Sequence, residues 1–170
     1  MQFDEAKEQF INSWGSLGSS WGVSRTMAQV HALLLISDQP LSAEDVMEGL
    51  NISRGNANMS LRALIDWGLV EKKIKLGERR EFFVAEKDLW KVAVRIMKER
   101  RKRELEPILS TLKQVREIEP GSGEQDEVQA FKKQMEELDD FAKRVDGMLG
   151  KLAAADENWF TGLLTRMLIK

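Results

Sequence analysis

Hydrophobic positions along the chain recur at helical spacing almost throughout and change to strand alternation only once. Phe3, Phe10, Trp14, Leu17 and Trp21 are separated by 7, 4, 3 and 4 residues, one apolar stripe that predicts a helix over about 3–21. Gly15, Gly18, Ser19, Ser20 and Gly22 then predict a loosening of the chain. Ser24 is placed to N-cap a second helix, Arg25 to about Ser37. Its run Val30-His31-Ala32-Leu33-Leu34-Leu35-Ile36 is apolar nearly all round, as a central core helix requires, and Asp38-Gln39-Pro40 ends it. Ser42 is expected to cap a short helix from Ala43 to Leu50, with Asp45 in its first turn. Asn51-Ile52 make a tight turn, Ser53 caps a further helix from Arg54 to about Trp67, and Gly68 stops it.

The period then becomes that of strand. Leu69-Val70-Glu71-Lys72-Lys73-Ile74-Lys75 and Arg79-Arg80-Glu81-Phe82-Phe83-Val84-Ala85 flank the turn Leu76-Gly77-Glu78 and predict a hairpin with a basic tip. These are the two clear strands. Helical spacing returns from Asp88 to about Glu104, with Trp90, Ala93, Val94 and Met97 on one side, and Pro107 is expected to kink or restart the helix. Leu105, Ile108, Leu112 and Val115 continue to Glu119, where Glu119-Pro120-Gly121-Ser122-Gly123 reads as a linker. Val128, Phe131, Met135, Leu138, Val145 and Leu152 follow at heptad-like spacing, with Phe141 out of phase and Gly147 and Gly150 weakening the helix. Trp159, Phe160, Leu163, Leu164, Met167 and Leu168 predict a last amphipathic helix. The expected fold class is mainly α with a small β-hairpin: an N-terminal packing or dimerisation helix (1–22), a winged helix-turn-helix (23–86), and long helices for dimerisation or effector binding (87–170).

Composition narrows the chemistry. The 170 residues contain no Cys, no Tyr and one His, His31, which removes disulfides, thiolate zinc sites, a cysteine nucleophile and most histidine-based catalysis. His31 itself reads as a packed core residue. No Gly-rich phosphate loop, paired-carboxylate constellation or nucleophile–base set is visible, so no enzyme, metal or cofactor is expected. Glu136-Glu137 and Asp139-Asp140 read as a solvated helix face. The longest aliphatic run, Ala32 to Ile36, is too short for a bilayer, and Met1-Gln2-Phe3-Asp4-Glu5 is no signal peptide; a cytoplasmic protein without a membrane partner is expected.

Charge changes the picture more. The net charge is −2, but residues 1–50, 51–103 and 104–170 carry balances of −5, +8 and −5. A compact basic segment inside an acidic chain is the footprint of a phosphate-binding surface. At about 100° per residue, Ala57, Leu61, Leu64, Ile65 and Gly68 define the buried side of helix 53–67. The opposite side carries Gly55, Asn56, Met59, Arg62 and Ala63, with Asn58 on its shoulder. Those residue types suit a major groove: Arg bonds guanine, Asn bonds adenine, Met meets a thymine methyl, and Gly admits close backbone approach. Ser53, Arg54 and the free N–H groups at the helix start suit a phosphate. In the wing (70–84), Lys72, Lys73, Lys75, Arg79 and Arg80 project, while Ile74 and Phe82 or Phe83 are expected to anchor the hairpin to the core.

The run from Ser53 to Leu64, SRGNANMSLRAL, with Trp67-Gly68-Leu69-Val70 after it, resembles the recognition helix of GbsR/MarR-type transcriptional regulators. Gly77-Glu78-Arg79-Arg80-Glu81-Phe82-Phe83 is similar to their wing, and Arg100-Arg101-Lys102-Arg103-Glu104-Leu105-Glu106-Pro107 to the helix that follows. The likeness runs from about Gly18 to Val115. It implies a bacterial homodimer that binds double-stranded DNA at a palindromic operator, usually as a repressor. Some relatives sense small molecules of choline and betaine metabolism, which would need an aromatic cage; Trp14, Trp21, Trp90 and Trp159 are the candidate rings, each also a candidate core or interface residue. The rival readings are a winged-helix protein-interaction module and a non-specific architectural DNA binder.

Overall fold

A computed structural model describes residues 1–118 and 125–154. The linker expected at 119–123 and the last helix with Trp159 lie outside the described residues. The chain divides into two compact units, Met1–Arg95 and Ile96–Lys170.

The first unit is built around α2 (Arg25–Ile36), after α1 (Phe3–Ser20). Val30, Ala32 and Leu34 of α2 are almost wholly buried, because α1, α3 (Ala43–Leu50), α4 (Arg54–Asp66) and the sheet all pack on this helix. α1 runs without a break through Gly15 and Gly18, so these glycines do not loosen the chain as expected. A Cβ at Gly18 would stand 2.5 Å from Ala28 Cβ, and one at Gly15 would stand 2.7 Å from Gln29 Cγ. They are the notches that let α1 and α2 approach. Ser24 occupies the N-cap position of α2, but its side chain makes no capping bond.

The wing strands are β2 (Val70–Ile74) and β3 (Glu81–Ala85), paired antiparallel with Val70 opposite Ala85 and Ile74 opposite Glu81. A third strand escaped the sequence reading: β1 (Leu41–Ser42) pairs with β3 opposite Phe83 and Phe82, giving the order β1-β3-β2. Two residues are too few to show alternation. Phe82, Phe83, Val70 and Ala85 are buried and hold the hairpin to the body. Ile74 does not: it lies 89% exposed, beyond the reach of the core. At the exit of the sheet, the Lys87 ammonium donates to the carbonyls of Leu34, Leu35 and Ser37. It thereby closes the C-terminal end of α2, whose last carbonyls have no helical partner.

His31 is buried in this core at 3% exposure, as are the smaller polar residues Ser42 and Ser60. The Trp14 indole N–H donates to His31 Nδ1 at 3.3 Å, which leaves the ring proton on Nε2. That N–H is buried without a partner among the described residues.

α5 (Leu89–Arg100) follows, then a π-helical turn over Arg101–Leu105, and α6 (Glu106–Val115) with Pro107 in its first turn. The expected restart at Pro107 thus takes the form of a widened turn just before it, where a backbone lacking one N–H is accommodated. In the second unit α7 (Gln125–Ala154) packs on α6. Its inner face is not uniformly apolar. Asp139 is 4% exposed and accepts from Arg116 (2.9 Å) and Lys143 (2.6 Å), so it is not part of a solvated face. Arg101 pairs with Asp146 on the same helix. Phe141, out of phase with the buried positions of α7, is 66% exposed. Leu138, Phe141, Val145, Met148 and Leu152 alternate spacings of 3 and 4 on one stripe, while a second carries the buried Asp139 and Ala142 with Met135 and Leu149 half-buried.

Two predictions follow from this core. Lys87→Met should lower stability by about 1–2 kcal/mol through the loss of charged bonds to the end of α2, read as the urea midpoint. Burial, and then the positive charge of Lys87, pushes the His31 pKa down from 6.5 to about 4. The unfolded chain takes up this proton below about 6.5 and the folded protein only near 4, so stability is complete above the upper value and falls between them. The loss should reach about 3 kcal/mol. His31→Gln, which keeps an acceptor for Trp14, should remove that part of the pH dependence of the urea midpoint.

Candidate nucleic-acid interface

The interface is assembled by three local devices. The first is the start of α3. Ser42 Oγ accepts from the Asp45 N–H at 3.2 Å, and the Asp45 carboxylate accepts from the Ser42 N–H and hydroxyl at 2.7 Å each. The Ser42 hydroxyl, then its backbone N–H, hold the Asp45 carboxyl below the usual carboxylate range, and the nearby wing cations Arg80 and Lys75 add to this. The second device is the turn. Asn51 ends α3 in the left-handed region at φ 51°, ψ 49°, a conformation that Asn tolerates better than most residues. The chain can then reverse within Asn51-Ile52-Ser53, and Ser53 Oγ accepts from the Asn56 N–H at 3.3 Å to start α4. The third is the exit of α4. Gly68 takes φ 71°, and the Arg95 guanidinium donates to its carbonyl while pairing with Glu86 at 3.2 Å. Arg95 and Lys87 are positioning residues that sequence reasoning missed. Their partners lie 27 and about fifty residues away, so no local pattern announces them.

α4 is divided as its spacing predicts. Ala57, Leu61 and Leu64 are buried against the body. Ser60 joins them and Ile65 is only half-buried. Ser53, Arg54, Gly55, Asn56, Asn58, Met59 and Arg62 are all exposed, Met59 to 67%. Arg54 meets Glu44 of α3 at 3.6 Å, whereas Arg62 makes no ion pair among the described residues. The space a Cβ would fill at Gly55 is open apart from Ser53 Oγ at 3.9 Å.

Every wing residue from Glu71 to Arg80 is exposed. The five cations are in different states. Lys72 pairs with Glu81 (2.9 Å), Lys73 with Glu71 (3.1 Å) and Arg80 with Glu78 (3.1 Å). Lys75 lies over the Phe82 ring, 4.0 Å from its centroid. Arg79 has no carboxylate partner among the described residues.

The candidate aromatic cage fares differently. Trp14 packs on Phe10 and His31, with ring centroids 5.6 and 6.1 Å away. Trp21 is exposed two turns further along, so these two rings do not converge, and Trp90 is half-buried at the start of α5. An open depression in the second unit is lined by Met97, Lys98, Arg101, Lys102, Leu149 and Ala153 among others, with no aromatic ring among its described lining.

A short capped helix, a left-handed turn, a second capped helix and an antiparallel hairpin define a winged helix-turn-helix. Residues 21–81 match the model of the MarR family, and this segment is a MarR-type winged helix. Over 88 residues the chain is 25% identical to the HTH-type transcriptional repressor GbsR of Bacillus subtilis (strain 168). That alignment takes in 52% of this chain and 48% of the relative; the chain thus spans about half the length of the curated relative it matches. The crystal structure of a transcriptional regulator shares the fold with a TM-score of 0.59, over 88% of this chain and 96% of that one, at 19% identity. The resemblance to GbsR/MarR-type regulators is borne out. Among the described residues no helix is long and apolar enough to cross a membrane.

Since Asn51 sets the angle at which α4 leaves α3, Asn51→Val should lower stability by about 1–2 kcal/mol. Asn51→Gly should be close to neutral, both read from thermal unfolding.

Proposed function

We propose that the chain is a sequence-specific DNA-binding transcriptional regulator, a homodimeric repressor that reads a palindromic operator. The observation that carries the reading is the composition of one exposed face: Gly55, Asn56, Asn58, Met59 and Arg62 on α4, flanked by an exposed basic wing. Arg62, with no carboxylate to hold it among the described residues, is available to bond guanine O6 and N7. Asn56 and Asn58 supply the donor–acceptor pair that adenine requires, and Met59 supplies an apolar contact for a thymine methyl. The N-terminal turn of α4, with Ser53 and Arg54, takes a phosphate and fixes the register. The wing cations take phosphates alongside. Its internal ion pairs are exposed and therefore weak, so phosphate oxygens replace the carboxylates at little cost.

The dimer rests on a separate observation. The outer stripe of α7 leaves Leu138, Phe141 and Met148 exposed, with Phe131 one heptad earlier. Its 3-and-4 spacing is that of a helix–helix seam, and a second copy covers it symmetrically. Two heads then enter successive major grooves about 34 Å apart.

The test is selection of bound duplexes from random DNA, which should enrich an inverted repeat; recovery of unselected DNA, or none, would sink the reading. Affinity should fall steeply with salt. Arg62→Ala should cost about 1–3 kcal/mol on the enriched duplex and relax preference at one base pair. Arg79→Ala should weaken all sequences alike and lower the salt slope by about one. Phe141→Lys should shift the mass in solution from dimer to monomer while leaving the fold intact.

A further inference from the structure

Gly150 stands inside α7 (Gln125–Ala154), where glycine weakens a helix relative to alanine. Folding gives no reason for it. A Cβ at Gly150 would meet nothing within 4 Å, unlike those at Gly15 and Gly18, so no close approach demands the small residue. Its backbone is helical, so conformation does not demand it either. What the missing side chain leaves open is a depression of about 410 Å³. Its walls are the last turn of α5, the π-helical turn over Arg101–Leu105, the start of α6 and the last turns of α7, all within the second unit.

The lining is divided in its chemistry. Met97, Leu149 and Ala153 form a half-buried aliphatic floor beside Gly150. Leu149 and Ala153 continue the inner stripe of α7, not the outer one proposed for a second copy. Of the charges at the rim, Arg101 is held by Asp146, and Glu99 by Arg103 at 3.5 Å. Lys98 and Lys102 are exposed and form no ion pair among the described residues. Four residues apart, they share one side of the helix, and both line the depression. Glu106 is the remaining carboxylate of the described lining. Two ammonium groups against one carboxylate leave one positive charge without a counterpart. The widened π turn carries Lys102, and such turns are frequent at functional sites.

We propose that this depression binds a small aliphatic carboxylate, its hydrocarbon body on Met97, Leu149 and Ala153 beside Gly150 and its charged head between Lys98 and Lys102. The volume lies within the range of small-molecule sites. The floor adapts to a flexible chain, because Met is itself unbranched and polarisable. A quaternary ammonium meets two like charges here and no aromatic face among the described lining. A nucleic acid would need a longer row of cations and would leave the aliphatic floor unused. The inference stands apart from the DNA-binding reading, and its test needs no DNA.

The experiment titrates the full chain with octanoate by calorimetry, with octanol and octyltrimethylammonium as probes of the same body and different charge. Octanoate should bind, octanol about tenfold more weakly, and the ammonium probe not at all. Octanoate should also move the carbon-13 methyl signal of Met97. Replacing both lysines, Lys98→Gln with Lys102→Gln, should weaken octanoate about tenfold and leave octanol unchanged. Gly150→Leu fills the floor and should abolish octanoate binding while the unfolding temperature holds or rises. Octanoate binding that survives these variants, or that leaves the Met97 signal unmoved, would place the ligand elsewhere and overturn the proposal. Equal affinities for octanoate and octanol, or no binding by the parent chain, would overturn it as well. A fall in solution mass with Gly150→Leu would identify a second copy as the occupant, with the same consequence.

Discussion

A central helix must still satisfy its ends, and α2 meets that requirement with a residue from outside. Its last carbonyls point at no following turn, and the Lys87 ammonium collects three backbone carbonyls there. Lys87 sits two residues beyond β3. The bond that closes the central helix is therefore the one that fixes where the wing is rooted. With α2 closed, α1 docks through its glycine notches on one side. Ala57, Leu61 and Leu64 of α4 dock on another, and the exposed face of α4 is held outward as a consequence. The presented face is thus the complement of a packing face, and its aim derives from the core rather than from any contact of its own.

Charge is distributed with the same economy. Counted along the chain, residues 51–103 carry +8, and the wing appears strongly cationic. In space, three of its five cations are matched by Glu71, Glu78 and Glu81. These pairs are exposed, so each contributes little to folding, but together they keep a protruding hairpin from repelling itself. The pairs are also exchangeable. A phosphate offers the same charge as a carboxylate in a more crowded array, so under the proposed function the wing carboxylates hold the places that phosphates would take.

Most of this was legible because it is written locally. Ser42 with Asp45, Ser53, Asn51 and Gly68 are cap and turn residues whose side chains act on backbone within a few positions, and each is where its chemistry requires. What the sequence hid is non-local. β1 is two residues long and exists only because β3 lies beside it. Gly15 and Gly18 have the composition of a loop but serve a helix–helix approach, which depends on Ala28 and Gln29 across the interface. Ile74 has the chemistry of an anchor and the position of a tip, and only the extent of the core decides between them. Asp139 reads as a surface carboxylate until Arg116, 23 residues away, is seen to close on it.

α7 shows why periodicity alone reached its limit. A single helix can carry two heptad stripes about a quarter-turn apart, and a linear scan for one repeat registers the second as errors in the first. Phe141, 66% exposed, lies away from the buried Asp139 and Ala142. Separated, the stripes differ in kind. The inner one includes Asp139, bonded to Arg116 and Lys143, and Asp146, bonded to Arg101. These bonds fix register within the unit as well as burying area. The outer one, Leu138, Phe141, Val145, Met148 and Leu152, is wholly apolar and makes no such bonds among the described residues. A stripe with polar bonds specifies one partner face, whereas an apolar stripe of the same length is complemented well by its own copy. The proposed second copy would therefore meet α7 at the exposed Leu138, Phe141 and Met148, away from the bonded face.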